Sequence, residues 1–148
     1  MLRMSRLTDY GIVLLTHLAA APDHAVHNAR ELSERARLPL PVVSKILKVL
    51  AREGFLVSQR GAKGGYSLAR RPEQISVVAV IDALEGPIAL TECGTHAGAC
   101  TREASCVVRA PWQQINRAVR KALEGVRLSE LSGPLPVGAP RTETIDVQ

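Results

Sequence analysis

Three thiols stand in the spacing Cys93-x6-Cys100-x5-Cys106, and the 148-residue chain holds no other cysteine. Gly94, Thr95, Thr101, Glu103 and Ser105 lie between them, and such small, hydroxylated and charged neighbours do not make a core segment. A lone buried cysteine is often just a small hydrophobe, but three in this setting read as ligands. Thiolates on an irregular loop can bend inward onto one soft centre, and zinc and iron–sulfur clusters are the main candidates. The C-x2-C pairs of structural zinc sites are missing. Cys93-x2-His96 can still open a mononuclear zinc site completed by Cys100 and Cys106. The wider gaps suit a cluster equally well, and a cluster wants four protein ligands, so the cysteines leave one unfilled. A thiol-redox switch is the third possibility. Catalysis is not expected, because His17, His24, His27 and His96 offer a nucleophile no recognisable base.

Upstream of this loop lies a basic block. Residues 30–71 hold ten Lys or Arg against Glu31, Glu34 and Glu53, a local balance of +7 in a chain of net charge +5, which leaves −2 elsewhere. That is the electrostatic footprint of phosphate contact, since neutralising DNA phosphates releases condensed counterions. A solvated basic face is the plainer alternative.

The chain around these groups is short and aliphatic. One Phe, one Trp and two Tyr force a core of Leu, Val, Ile and Ala, so a mainly α fold is expected, with 46% of the residues hydrophobic. Arg3 and Arg6 before an apolar stretch ending at Ala21 mimic a secretory signal. Asp9 and His17 interrupt it, and Leu7, Tyr10, Leu14 and Leu18 recur at helical spacing, so it is read as a first helix. No other run approaches a membrane span, and a cytoplasmic location with reduced thiols is expected.

Asn28 with Glu31 looks like a capping box for a second helix, to about Ala36. A third starts near Pro41 and stops at Gly54. On it Val43, Ile46, Leu47 and Leu50 form the docking stripe, while Ser44, Lys45, Lys48 and Arg52 project from the other side. Phe55 to Ala69 then reads as a hairpin with a glycine-rich tip carrying Arg60 and Lys63. A helix-turn-helix followed by such a hairpin is a winged helix, with the third helix for a major groove and the wing for an adjacent groove or backbone. Ser76 is placed to cap a fourth helix that Gly86-Pro87 ends. From about Pro111 a longer helix sets Trp112, Ile115, Val119 and Ala122 in an a/d-like seam, which suits pairing with a second copy; packing back on the core is the alternative. The expected organisation is thus a winged helix-turn-helix domain at 1–86, a ligand loop at 87–108, a dimerisation helix at 109–131 and a disordered tail at 132–148.

These residues together resemble the IscR- and NsrR-type winged-helix regulators that carry an iron–sulfur cluster. The resemblance rests on Arg6-Leu7-Thr8-Asp9-Tyr10, Gly54-Phe55-Leu56, Arg60-Gly61-Ala62-Lys63-Gly64-Gly65-Tyr66, Leu84-Glu85-Gly86, the three cysteines and Trp112. Leu90-Thr91-Glu92-Cys93 and Trp112-Gln113-Gln114-Ile115-Asn116 look most like the regulators of the SUF cluster-assembly operon.

The resemblance implies homodimers with crossed long helices, a palindromic double-stranded DNA operator, and a cluster near the dimer interface. In the IscR branch a histidine three residues after the last cysteine completes the ligand set, but here that position is Arg109. In the NsrR branch an acidic residue near the start of helix one, from the partner, is the remaining ligand, and Asp9 occupies the matching place. The ligand set expected on this basis is Cys93, Cys100, Cys106 and Asp9 in trans, with His96 in reserve; a helix-start charge favoured by the macrodipole is the plainer reading of Asp9. Either a 4Fe-4S or a 2Fe-2S cluster is compatible, the NsrR-like Asp9 leaning to the former. Ser44, Lys45 and Lys48 are expected in the groove, and Arg60 and Lys63 on the wing. The implied function is repression of SUF genes in response to iron, cluster or redox status. A nitric-oxide- or redox-responsive regulator of the same family, and a zinc-stabilised regulator without a cluster, are the alternatives.

Overall fold

The computed structural model describes residues 3–132. Helix α1 (Arg6–Ala19) opens at Ser5, whose Oγ accepts from the Thr8 N–H at 3.3 Å, and Asp9 sits in its first turn, where a helix dipole favours negative charge. Helices α2 (Ala29–Ala36) and α3 (Leu40–Arg52) form the helix-turn-helix. Arg37 takes the left-handed conformation that closes α2, and Pro41 falls in the first turn of α3, where its missing N–H costs nothing.

The expected capping box is half formed. Asn28 Oδ1 accepts from the Glu31 N–H at 2.8 Å, but the Glu31 carboxylate turns away to His27 Nδ1 and Arg35 instead of reaching back.

Val43, Ile46, Leu47 and Leu50 are all fully buried, as the stripe on α3 required, and they meet Leu14, Leu15, Leu18 and Leu32 from α1 and α2. Gly11 lets α4 (Val77–Glu85) approach α1, since a Cβ there would collide with Leu84. The hairpin pairs β1 (Leu56–Gln59) with β2 (Gly65–Leu68), Leu56 opposite Leu68 and Gln59 opposite Gly65. The outer edge of β2 is tied to the α1–α2 connection by two bonds, His27 N–H to the Tyr66 carbonyl at 2.9 Å and Tyr66 N–H to the His27 carbonyl at 2.8 Å. Gly65, at φ 156°, leaves room for that approach, because a side chain there would strike the His27 carbonyl.

Ser76 stands at the start of α4 without capping it; its hydroxyl is buried with no partner among the described residues. The neighbouring Val77 N–H donates instead to the Val126 carbonyl at 3.0 Å, so a return segment of the chain does part of the capping. The span expected as one helix from 109 to 131 is two helices, α5 (Arg109–Glu124) and α6 (Leu128–Ser132). The break falls at Gly125, a weak helix former, and lets buried Leu128 dock while its N–H donates to the Ile75 carbonyl at 2.9 Å. No helix among the described residues is long and apolar enough to cross a membrane. Beyond Ser132 the expected tail lies outside the described residues.

Candidate DNA-binding face and cysteine loop

The apolar stripe of α3 fixes the helix, and its other side is left to solvent. Lys45 and Lys48 are exposed and Ser44 is half-buried. Arg60 and Lys63 are exposed at the wing tip, where Gly61 adopts φ 108° and Gly64 donates to the Gly61 carbonyl at 2.9 Å. Gly64 has no space for a Cβ, which would fall 2.3 Å from the Gln59 carbonyl oxygen. Among the described residues no ion pair engages Lys45, Lys48, Arg60 or Lys63. Four uncompensated cations on a helix and an adjacent wing are suited to phosphate contact.

The cysteine loop is built from two 3-10 turns, Glu92–Gly94 and Glu103–Ser105. Cys93, Cys100 and Cys106 are free thiols, each half-buried. Two polar braces hold the loop. Glu103, nearly buried, accepts from the Gly98 N–H at 2.6 Å and pairs with Arg109 at 2.6 Å. Asn116, in the middle of α5, accepts from the Leu90 N–H at 2.8 Å and donates to Thr91 Oγ1 at 3.2 Å; Thr91 Oγ1 lies 3.2 Å from Cys93 Sγ. A cavity of about 460 Å³ between loop and helix is lined by Cys93, His96, Glu103, Arg109, Asn116 and Arg120.

Helix α5 is inverted in its amphipathicity. Asn116, 8% exposed, is its one buried residue, whereas Trp112 and Ile115 are 37% and 42% exposed. Its polar side is also the anchored one, through Asn116 and through Arg120, which donates to both carboxylate oxygens of Asp82 at 3.1 and 2.6 Å. That contact raises the Arg120 pKa above its ordinary value.

The expected metal ligands are thus divided. The three cysteines and His96 share one loop, and Cys93 and His96 share one cavity. Asp9 is exposed on α1, whose neighbours are α2, α3, α4, α6 and β2. Among the described residues no three His, Cys, Asp or Glu side chains lie close enough to hold a metal ion. In chemistry the donor set fits a soft centre: three accessible thiols, unpaired with one another, on turns that can bend. Arg109 cannot complete it, because a guanidinium has no lone pair to give and this one is committed to Glu103.

Sequence reasoning passed over Thr91, Glu103 and Asn116 as functional side chains. Asn116 left one signal, a weak helix former set between Ile115 and Arg117 in an otherwise helical run.

The Rrf2 family, described as "Iron-dependent Transcriptional regulator", matches residues 4–134. Protein rrf2 of Nitratidesulfovibrio vulgaris is 28% identical over 130 residues, 88% of this chain and 87% of that one. Among solved structures, CymR, the global cysteine regulator of B. subtilis, superposes with a TM-score of 0.70 at 26% identity, covering 89% of this chain and 97% of that one. IscR of T. potens gives 0.67 at 26% identity, with 88% and 85% covered. Helix-turn-helix, wing and long helix follow one another here as a winged-helix regulator requires, and the chain belongs to the Rrf2 family of transcriptional regulators.

Proposed function

We propose that this chain is a homodimeric, iron–sulfur-dependent repressor of SUF cluster-assembly genes that binds a palindromic operator. Cys93, Cys100 and Cys106 would hold the cluster, with Asp9 contributed by the second subunit. The observation that carries the reading is the junction of loop and helix: three accessible thiols are braced against α5, whose exposed Trp112 and Ile115 make an apolar seam that the single chain leaves uncovered. A seam of that kind is what a second copy covers.

When bound, the cluster supplies a centre whose presence and oxidation state respond to iron and oxidants. The chain's own residues do the rest. Ser44, Lys45 and Lys48 on α3 and Arg60 and Lys63 on the wing meet each half-site. Asp82 and Arg120 join α5 to the winged-helix domain, so a shift of the long helix moves the reading surface. Only a difference in interaction between the two dimer arrangements can change DNA affinity. A carboxylate ligand exchanges more readily than a thiolate, which makes the site easy to empty under iron starvation or oxidation and relieves repression.

Cys93 and His96 lining one cavity favour a second reading, a mononuclear zinc site with Cys100 and Cys106. Anaerobic purification with iron, sulfide and zinc analysis and a visible spectrum separates the two. Iron and sulfide with a coloured protein support the cluster; about one zinc per chain in a colourless protein supports the second reading. Full cluster absorbance in Asp9→Ala or Cys100→Ala would remove that residue from the ligand set.

A further inference from the structure

Asn116 is a polar side chain in mid-helix, 8% exposed, and both ends of its amide are committed. The Leu90 N–H can only donate, so the atom that meets it at 2.8 Å is Oδ1. This orientation turns Nδ2 toward Thr91, whose Oγ1 accepts at 3.2 Å. A hydroxyl has one proton to give. With the amide already donating to Thr91, that proton is free for its other neighbour, Cys93 Sγ at 3.2 Å. A ligating thiolate has no proton to give, so with Cys93 in that form the chain runs from Asn116 to Thr91 to Cys93, with sulfur as the acceptor. Gly94 supports the same arrangement. A Cβ there would lie 2.2 Å from Asn116 Nδ2 and 2.9 Å from Ala89 Cβ, so the loop rests on α5 more closely than any side chain at 94 allows.

We infer that Asn116 and Thr91 are positioning residues for Cys93, holding its sulfur as a hydrogen-bond acceptor and tying the ligand loop to the helix that carries the dimer seam. The inference rests on the cluster reading above. Hydrogen bonds to ligating sulfur offset its negative charge, and in iron–sulfur proteins they help set the reduction potential. Asn116 is also the neighbour of Ile115 on α5, so the amide that holds Thr91 and the seam that meets a second copy belong to one helix. The Thr91–Cys93 bond is internal to the loop, so a change at Cys93 reaches the helix through the Thr91–Asn116 bond that adjoins it.

The test uses the full chain, reconstituted anaerobically with iron and sulfide, and the same chain without metal. Thr91→Val keeps the shape and removes the proton; its cluster should show a lowered midpoint potential and faster loss in air, and Thr91→Ser should restore both. In the metal-free protein, Asn116→Ala should lose amide-exchange protection at Leu90, while Thr91→Val keeps it. Asn116→Asp provides a folded control, since its carboxylate still accepts from Leu90 but draws the Thr91 proton away from sulfur. In that background Thr91→Val should produce no further shift in potential. An unchanged potential in Thr91→Val, a full additional shift in the double variant, or an unaltered Leu90 amide in Asn116→Ala overturns the inference. Wild-type protein that takes up no cluster overturns the proposed function instead, and the metal-free exchange experiment still decides the Asn116 link.

Discussion

Arg120 grips Asp82 through both terminal guanidinium nitrogens, Nη1 at 3.1 Å and Nη2 at 2.6 Å, and this two-pronged contact joins the long helix α5 to α4 of the winged-helix domain. Arg120 also reaches Glu124 one turn on, at 3.1 Å. Both partners of the main pair are partly open to water, so its net worth is modest despite good geometry. Asp82→Asn should cost about 0.5–1 kcal/mol in urea unfolding at low ionic strength, and less in high salt. Its larger effect should be on coupling: the variant should bind operator with a weaker dependence on metal loading than the wild type. Equal metal dependence in both would mean that this contact does not carry movement from α5 to the reading surface.

Lys63 stands exposed on the wing tip with no ion-pair partner among the described residues. A phosphate contact there carries no sequence information. Lys63→Ala should therefore weaken binding by a similar factor on operator and unrelated duplex, and lower the salt slope by about one. Titrations at several salt concentrations measure both. Unchanged affinity and slope would take the wing out of the interface.

Much of the winged helix was legible because periodicity and glycine placement report local geometry directly. Val43, Ile46, Leu47 and Leu50 could occupy one helical face only if that face was buried, and Gly61, Gly64 and Gly65 bracket a turn that few other residues permit. What escaped depends on contacts between distant segments. Ser76 has the right type for a cap, but the return of Val126 satisfies the adjacent amide instead. Asn116 and Leu90 are 26 positions apart, and no spacing rule links them. The apolar seam of α5 was visible at its 3, 4, 3 spacing. That the opposite side is held down by polar groups was not, because nothing local distinguishes a braced asparagine from a solvated one.

The start of α1 is fastened to the end of α4 through Glu85, which accepts from the Ser5 N–H. Hydrogen bonding from the Ser5 side chain, with further bonds from its backbone and from Thr8, holds the Glu85 carboxyl below its ordinary pKa against a smaller effect of burial. A carboxylate with a lowered folded pKa stabilises the fold above its unfolded pKa, and that contribution fades as pH falls through the folded value. The first turn of α1, with Asp9, should accordingly fray on the acid side of the ordinary glutamate range. Amide exchange across residues 6–9 as a function of pH reads this, and Glu85→Gln should flatten the profile. A profile unchanged by the substitution would assign the acid sensitivity to another group.

Ile115 is 42% exposed and Trp112 37% exposed, yet with Val119 and Ala122 they line one side of α5. Covering the two fifths of such a side chain that remains open is worth about 0.6–1.3 kcal/mol, and several such side chains on each of two helices favour their meeting. Ile115→Glu puts a charge into the seam and leaves the polar side, Asn116 and Arg120, untouched. The variant should be monomeric in sedimentation at concentrations where the wild type is a dimer. Its far-UV spectrum should be unchanged and the stability of the single chain altered by no more than about 0.5 kcal/mol, because the site is open to solvent there. Operator affinity should fall far more than binding to a half-site, since two winged helices at fixed spacing are needed to read a palindrome. A variant that stays dimeric would place the interface on another surface, and the proposal that Asp9 ligates from a second subunit would lose its structural basis.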